Sequence, residues 1–142
     1  MTFQEHNGNY IIRLMPGEEL IEIITQFCKE KQIQGGWISG LGGSHHVVFG
    51  HYNEATHQYT PFAFDNETEL KEITNITGNV SAEKLHIHIT IGDHEGHAHT
   101  GHLIKCVANP TLEIFLTTFP ALHRTLDEAS GLNLLDLPNN FS

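Results

Sequence analysis

The chain has 142 residues, with seventeen acidic side chains against seven basic ones and a formal net charge of −10, which excludes a general basic face for polyanions. Hydrophobic residues at 39% and charged residues at 17% exclude long disorder and fit one folded domain, expected over residues 1–142 with its core from about 9 to 137. The anomaly is histidine: of twelve, six fall between His86 and His102. Met1–His6 has neither the basic start nor the apolar stretch of a secretion signal, and no run approaches the roughly 18 apolar residues of a membrane span. A cytoplasmic chain with no membrane partner is expected.

In chain order, Asn9–Leu14 reads as a strand, Pro16-Gly17 breaks it, and a helix is predicted from about Glu18 to Lys31. Leu20, Ile23, Ile24, Phe27 and Cys28 recur there at three- and four-residue spacing, which sets them on one face. Glu18 and Glu19 match the positive end of the helix dipole, and Lys29 and Lys31 the negative end. From Gln34 onward β-branched and aromatic runs separated by turn residues predict strands near 35–39, 45–52, 57–64, 70–80, 85–92, 98–108 and 112–119. One helix cannot cover that much sheet. The expected fold is α+β, an antiparallel, strongly curved sheet packed with one main helix, with a partner subunit over the remaining surface. After Pro120 the tail carries Leu122, Leu126, Leu132, Leu134, Leu135 and Leu137, so it is expected to dock on the body or on a neighbour.

Cys28 and Cys106 have no metal-ribbon or redox spacing and read as separate buried thiols. The glycines between Gly35 and Gly43 lack the pattern of a nucleotide loop, and they imply tight turns, a bulge or close backbone approach. His94-Glu95-Gly96-His97 lacks the four-residue histidine spacing on a helix that a zinc protease needs.

Leu85-His86-Ile87-His88-Ile89-Thr90-Ile91-Gly92 alternates with period two, so the odd positions face a core and His86 and His88 share the opposite face. Their Cα atoms would stand about 6.6 Å apart, close enough for both imidazoles to meet one metal. Gly92 to His97 has turn chemistry. An odd loop of three residues centred on Glu95 brings His102 opposite His88 on the same face, whereas His94, His97 and His99 fall at or near the solvated tip. Ile104 and Lys105 break the alternation, which predicts a bulge or a buried interface after His102. Three neutral imidazoles suit a divalent transition metal: zinc with an open fourth position fits, and nickel, copper, cobalt and iron would also accept them.

Tyr10-Ile11-Ile12-Arg13-Leu14, Pro16-Gly17-Glu18-Glu19, Gly40-Leu41-Gly42, Glu72-Ile73, Gly78-Asn79, His86-Ile87-His88, Gly101-His102-Leu103, Thr111-Leu112-Glu113-Ile114 and the Arg124, Asp127, Gly131, Leu132 set occur in an order that resembles the plant and prokaryote conserved (PPC) domain family, from about residue 9 to residue 137. The resemblance implies an α+β fold, a homotrimer with extensive sheet contact, and a metal site at His86, His88 and His102. Plant members add AT-hooks for the DNA minor groove, and prokaryotic members are often labelled DNA-binding. Arg13 and Arg124 are the only arginines and no AT-hook segment exists, so nucleic acid is not an expected partner. Of the plant stretch linked to recruiting nuclear proteins, only Glu72 and Ile73 match.

Three functions are open to such a chain. The first is a trimeric metal-binding protein of regulatory role that takes a small polar or anionic ligand. The second is a metal-dependent enzyme of hydrolase or lyase type, in which Glu72 or Glu113 acts as general base. The third is DNA binding through a local patch of Lys29, Lys31 and Lys71. Glu72, Glu113 and Arg124 are the candidates for ligand contact beside the histidines.

Overall fold

The computed structural model describes residues 1–138; residues 139–142 of the expected domain lie outside the described residues. The chain forms β1 (Thr2–His6), β2 (Asn9–Leu14), α1 (Leu20–Glu30), β3 (Gly35–Ser44), β4 (His46–Asn53), β5 (Gln58–Asp65), β6 (Lys71–Ser81), β7 (Leu85–Gly92), β8 (Ala98–Val107), β9 (Leu112–Thr118), β10 (His123–Asp127) and β11 (Leu132–Asp136). Nine strands make one antiparallel sheet in the order β1-β2-β9-β3-β6-β7-β8-β4-β5, and β10 pairs with β11 apart from it. The sheet is mostly what the chain is, with one short helix. The strong curvature expected from the excess of strand is not found, because the order is open, with β1 and β5 as unjoined edges.

The helix is eleven residues long and starts later than expected because Glu19 is its cap. The Glu19 carboxylate accepts the N–H of Glu22 at 2.8 Å and that of Cys106 at 3.0 Å, so one side chain ends the helix and ties it to β8. Leu20, Ile24, Phe27 and Cys28 turn inward onto Ile12, Leu14, Ile38, Ile76, Ile89 and Ile114, all buried. Both cysteines are free and buried, as read from their spacing.

The glycines of β3 serve close approach. A Cβ on Gly40 would lie 2.6 Å from the Glu113 carbonyl, and the pairing of β3 with β6 shifts between Gly40 and Gly42. This strand runs on to Ser44, past the expected stop at 39. β1 lies outside the expected strands. All five of its residues are exposed, so no burial period marks it. Its signal is the two-residue turn Asn7-Gly8, where φ is +51° and +76°. The leucine-rich tail forms the β10–β11 hairpin, and Arg124 fastens it to β6 through Ser81 and Asn79.

The sheet face away from the core is continuous. Ile11 pairs with Phe115, Phe115 with Ser39, Ser39 with Thr77, Thr77 with His88 and His88 with His102. One end of this face carries the exposed apolar side chains Ile11, Trp37, Leu41 and Phe115, and the other end carries histidines.

Candidate metal centre

Alternation in β7 buries Ile87, Ile89 and Ile91 and sends His86 and His88 to the opposite face. β8 supplies the third ring, since His88 lies directly across from His102. The connecting turn is five residues long, because pairing stops at Gly92 and Ala98. It is longer than the three residues expected but has the same parity and the same centre at Glu95, so the cross-strand partner is unchanged. Asp93 shapes it by accepting the N–H of Glu95 at 3.0 Å and of His97 at 2.9 Å. Beyond His102, Val48 pairs with Lys105 and Phe49 with Leu103, which leaves Ile104 as the bulged residue and turns both Leu103 and Cys106 inward.

The three ring centroids stand 5.2 Å (His86–His88), 5.2 Å (His86–His102) and 5.5 Å (His88–His102) apart. One nitrogen from each ring lies within 4.8 Å of the other two. Tyr59 stacks on His102 at 4.5 Å between centroids. The His102 Nδ1 atom is buried and has no hydrogen-bond partner among the described residues. Burial lowers the pKa of His86, aided by the charge of Arg124 and by His88 and Lys84. Burial also pushes His102 down to about 4, aided by the other two imidazoles and Lys84. Both rings are therefore neutral at pH 7, the state in which imidazole ligates. Three imidazoles whose nitrogens converge, with no hydrogen-bond partner on His102 Nδ1 among the described residues, fit a first-row divalent ion with a position left open.

A cavity of about 440 Å³ opens beside the rings, and it is lined by all three histidines, Lys84, Arg124, Tyr52, Tyr59, Leu132 and Leu134 among others. Of the side chains named from the sequence beside the histidines, only Arg124 lines it. Glu72 pairs with Gly92 and Gly43, up to roughly 16 Å along β6 from Thr77 at 3.3 Å per residue. Glu113 faces Arg13 and Leu41 on β9, three strand spacings from β7, or about 14 Å. Neither reaches the histidines, so the general-base role set out for them has no geometric support.

Lys84 and Tyr59 were not named from the sequence. Lys84 has the parity of His86 and could have been read from the same alternation. Tyr59 reaches the site because β5 lies beside β4 and β4 beside β8, a pairing that no local pattern reveals. The basic patch of Lys29, Lys31 and Lys71 does not assemble. Lys71 is buried against Glu69 at the head of β6, and Lys31 lies over the Phe3 ring at 4.8 Å.

No helix among the described residues is long and apolar enough to cross a membrane. Residues 1–120 match the model of the Plants and Prokaryotes Conserved (PCC) domain. A Bacteroides thetaiotaomicron structure named a "putative DNA binding protein" is 30% identical, covers 95% of this chain and 96% of its own, and superposes with a TM-score of 0.87. A metal-containing protein from Archaeoglobus fulgidus is 29% identical, with 96% and 99% coverage and a TM-score of 0.81. The bifunctional protein GlmU of Synechococcus sp. strain JA-2-3B'a(2-13) is 28% identical over 126 residues, 86% of this chain; the chain spans only 19% of that relative's length. The ordered motifs, the sheet with its single helix and the match over residues 1–120 agree, and the chain belongs to the Plants and Prokaryotes Conserved (PCC) domain family.

Proposed function

We propose that this chain is a cytoplasmic, homotrimeric metal-binding protein of regulatory role, which holds one divalent transition ion, best matched by zinc, on His86, His88 and His102 and offers the open position to a small ligand. The observation that carries the reading is the convergence of three imidazole nitrogens within 4.8 Å of one another, with no carboxylate bonded to any of the rings among the described residues. That arrangement leaves the rings free for a cation. The Archaeoglobus relative, named as metal-containing, supports the same reading.

The trimer is supported by the apolar end of the sheet face, where Ile11, Trp37, Leu41 and Phe115 are each about half exposed and a second copy would bury them. A monomer mass in light scattering at micromolar concentration would overturn that part. The hydrolase or lyase reading loses the carboxylate base set out for it, since neither Glu72 nor Glu113 nor any other acid of the described residues is among the side chains lining the cavity. DNA binding draws on the name of the Bacteroides relative; the −10 charge and the pairing of Lys71 with Glu69 oppose it. We expect no salt-sensitive duplex complex near physiological ionic strength.

Elemental analysis of tag-free protein tests the metal centre directly. About one equivalent of a transition metal per chain is expected, either as purified or after zinc titration. Protein that carries none and takes up none would overturn the proposal.

A further inference from the structure

Charge is sorted unevenly over this molecule. Only seven of its residues are Lys or Arg, against seventeen acids, yet two of the seven line the histidine cavity and none of the acids does. Arg124 is half-buried, and its guanidinium is positioned by neutral oxygens alone. Nε donates to the Ser81 hydroxyl at 3.2 Å, Nη1 to the Asn133 carbonyl at 2.7 Å and Nη2 to the Asn79 side-chain carbonyl at 2.6 Å. A guanidinium has five N–H donors and keeps its charge at any ordinary pH, so Arg124 retains donors in a fixed fork with no carboxylate bonded to them among the described residues. Lys84, exposed and two residues before His86 on the same strand face, forms no ion pair among the described residues.

The remaining walls are of another kind. They include Tyr59, stacked on His102, Tyr52, and Leu132 and Leu134 of the β10–β11 hairpin, whose Ser130 carbonyl accepts a hydrogen bond from the Tyr52 hydroxyl at 2.6 Å. A volume of about 440 Å³ falls within the range of small-molecule sites, roughly 300–1,000 Å³.

We infer that this cavity binds a small organic oxyanion with an aromatic or apolar body, its anionic group received by Arg124 and Lys84 beside the metal and its body held between Tyr59 and the leucines of the hairpin. The inference rests on the metal reading for the open position. The two cations and the apolar walls nevertheless stand without the metal. It assigns the hairpin a task as well: by carrying Arg124, Leu132 and Leu134, it is the element that sets which anion fits.

The test uses the full chain, zinc-loaded and zinc-free, with three matched probes in calorimetric titration: phenylacetate, phenyl phosphate and the neutral phenylacetamide. Either anion should bind the zinc-loaded protein at least about tenfold more tightly than the amide, the scale of one or two charge-assisted hydrogen bonds. Whichever anion binds better separates a carboxylate ligand from a phosphate one. Lys84→Met should weaken anion binding about fivefold to tenfold in protein that still takes up one equivalent of zinc, and Arg124→Lys should weaken it further. Arg124 also fastens the hairpin, so Lys84→Met is the deciding variant if the Arg124 variant loses its fold by circular dichroism.

Equal binding of amide and anions, or Lys84→Met and wild type alike, overturns the inference. If zinc fails to bind but anions still bind in a Lys84-dependent way, the metal reading falls and the anion site stands. If zinc binds and no anion does, the reverse holds.

Discussion

The molecule holds histidines in two kinds of company. On the β7–β8 ladder, His86, His88 and His102 face one another with no carboxylate bonded to them among the described residues. At the turn and the neighbouring rim every ring has an acid. His94 bonds Glu69 at 2.8 Å, His99 bonds Asp93 at 3.0 Å, His97 lies 3.4 Å from Asp93 and 3.3 Å from Glu95, and His46 sits between Asp65 and Glu67. The consequences run in opposite directions. Hydrogen bonds donated to Glu69 and to Asp65 raise the pKa of His94 and His46, while burial lowers that of His86 and His102. A ring that already has a carboxylate tends to hold a proton. A ring without one offers a lone pair, so sequence proximity of six histidines says less than which of them lack an acid.

The largest expected effect comes from removing a ladder ring. His88→Ala should weaken zinc binding by more than about 100-fold, since loss of even an outer partner of a ligand costs roughly 10–100-fold in metal affinity. His97→Ala should leave zinc affinity nearly unchanged. Competition titration against a zinc chelator measures both. The comparison breaks if His97→Ala loses the metal and His88→Ala keeps it, because Asp93, Glu95 and His97 also form a grouping whose ligand atoms lie within 4.8 Å of one another.

The backbone beneath the two regions differs in the same way. Gly78 lies under the ladder, where an added Cβ would be 2.2 Å from the His86 carbonyl oxygen and 2.8 Å from the Ile87 Cα. Gly96 in the turn has φ of +83° and open space around its missing Cβ. Gly78→Ala should therefore cost about 3 kcal/mol, the upper part of the overpacking range, and part β6 from β7 beside His86. Gly96→Ala should cost only about 1 kcal/mol, the left-handed backbone penalty, and spare the metal. Urea unfolding midpoints with a parallel zinc titration would separate the two, and equal loss in both would refute the idea that only the ladder needs close strand approach.

What is legible in the sequence is what is local. Period two puts His86 and His88 on one face, and turn parity picks His102 even though the turn is five residues long, because parity depends only on the centre at Glu95. The broken alternation at Ile104 is local too; it leaves a bulge and a buried interface open, and the pairing of β8 with β4 shows the bulge. Non-local pairing is not legible. Glu72 and Glu113 look as eligible as Arg124 until the strand order places them elsewhere, and Arg124 reaches the cavity only because its hairpin folds back onto Ser81 and Asn79, more than forty residues earlier. Asn7-Gly8 is a local turn signal, but it stands without support from its strand, since β1 is exposed along its length and shows no burial pattern.

The smallest expected effect, and the one that tests the contrast at its root, is the pH dependence of stability in the metal-free protein. His102 has its folded pKa lowered to about 4, against roughly 6.5 for an unfolded histidine. As pH falls from about 6.5 towards 4, the unfolded chain takes a proton that the folded chain refuses, so the stability present above 6.5 is lost across that window. His94 has the opposite sign. Its folded pKa is raised, so the stability it lends through Glu69 is complete below about 6.5 and is lost as pH rises through the raised value. His94 is exposed, and its contribution should also fade in high salt, which screens surface pairs far more than buried groups. Urea midpoints at pH 7, 6 and 5 in the presence of a chelator read both. His102→Gln should flatten the acid-side fall relative to wild type in low and high salt alike, whereas His94→Gln should change the profile slightly and only in low salt. If His102→Gln leaves the acid-side slope untouched, burial is not what keeps the His102 ring neutral, and the distinction between the two histidine groups has to rest on geometry alone.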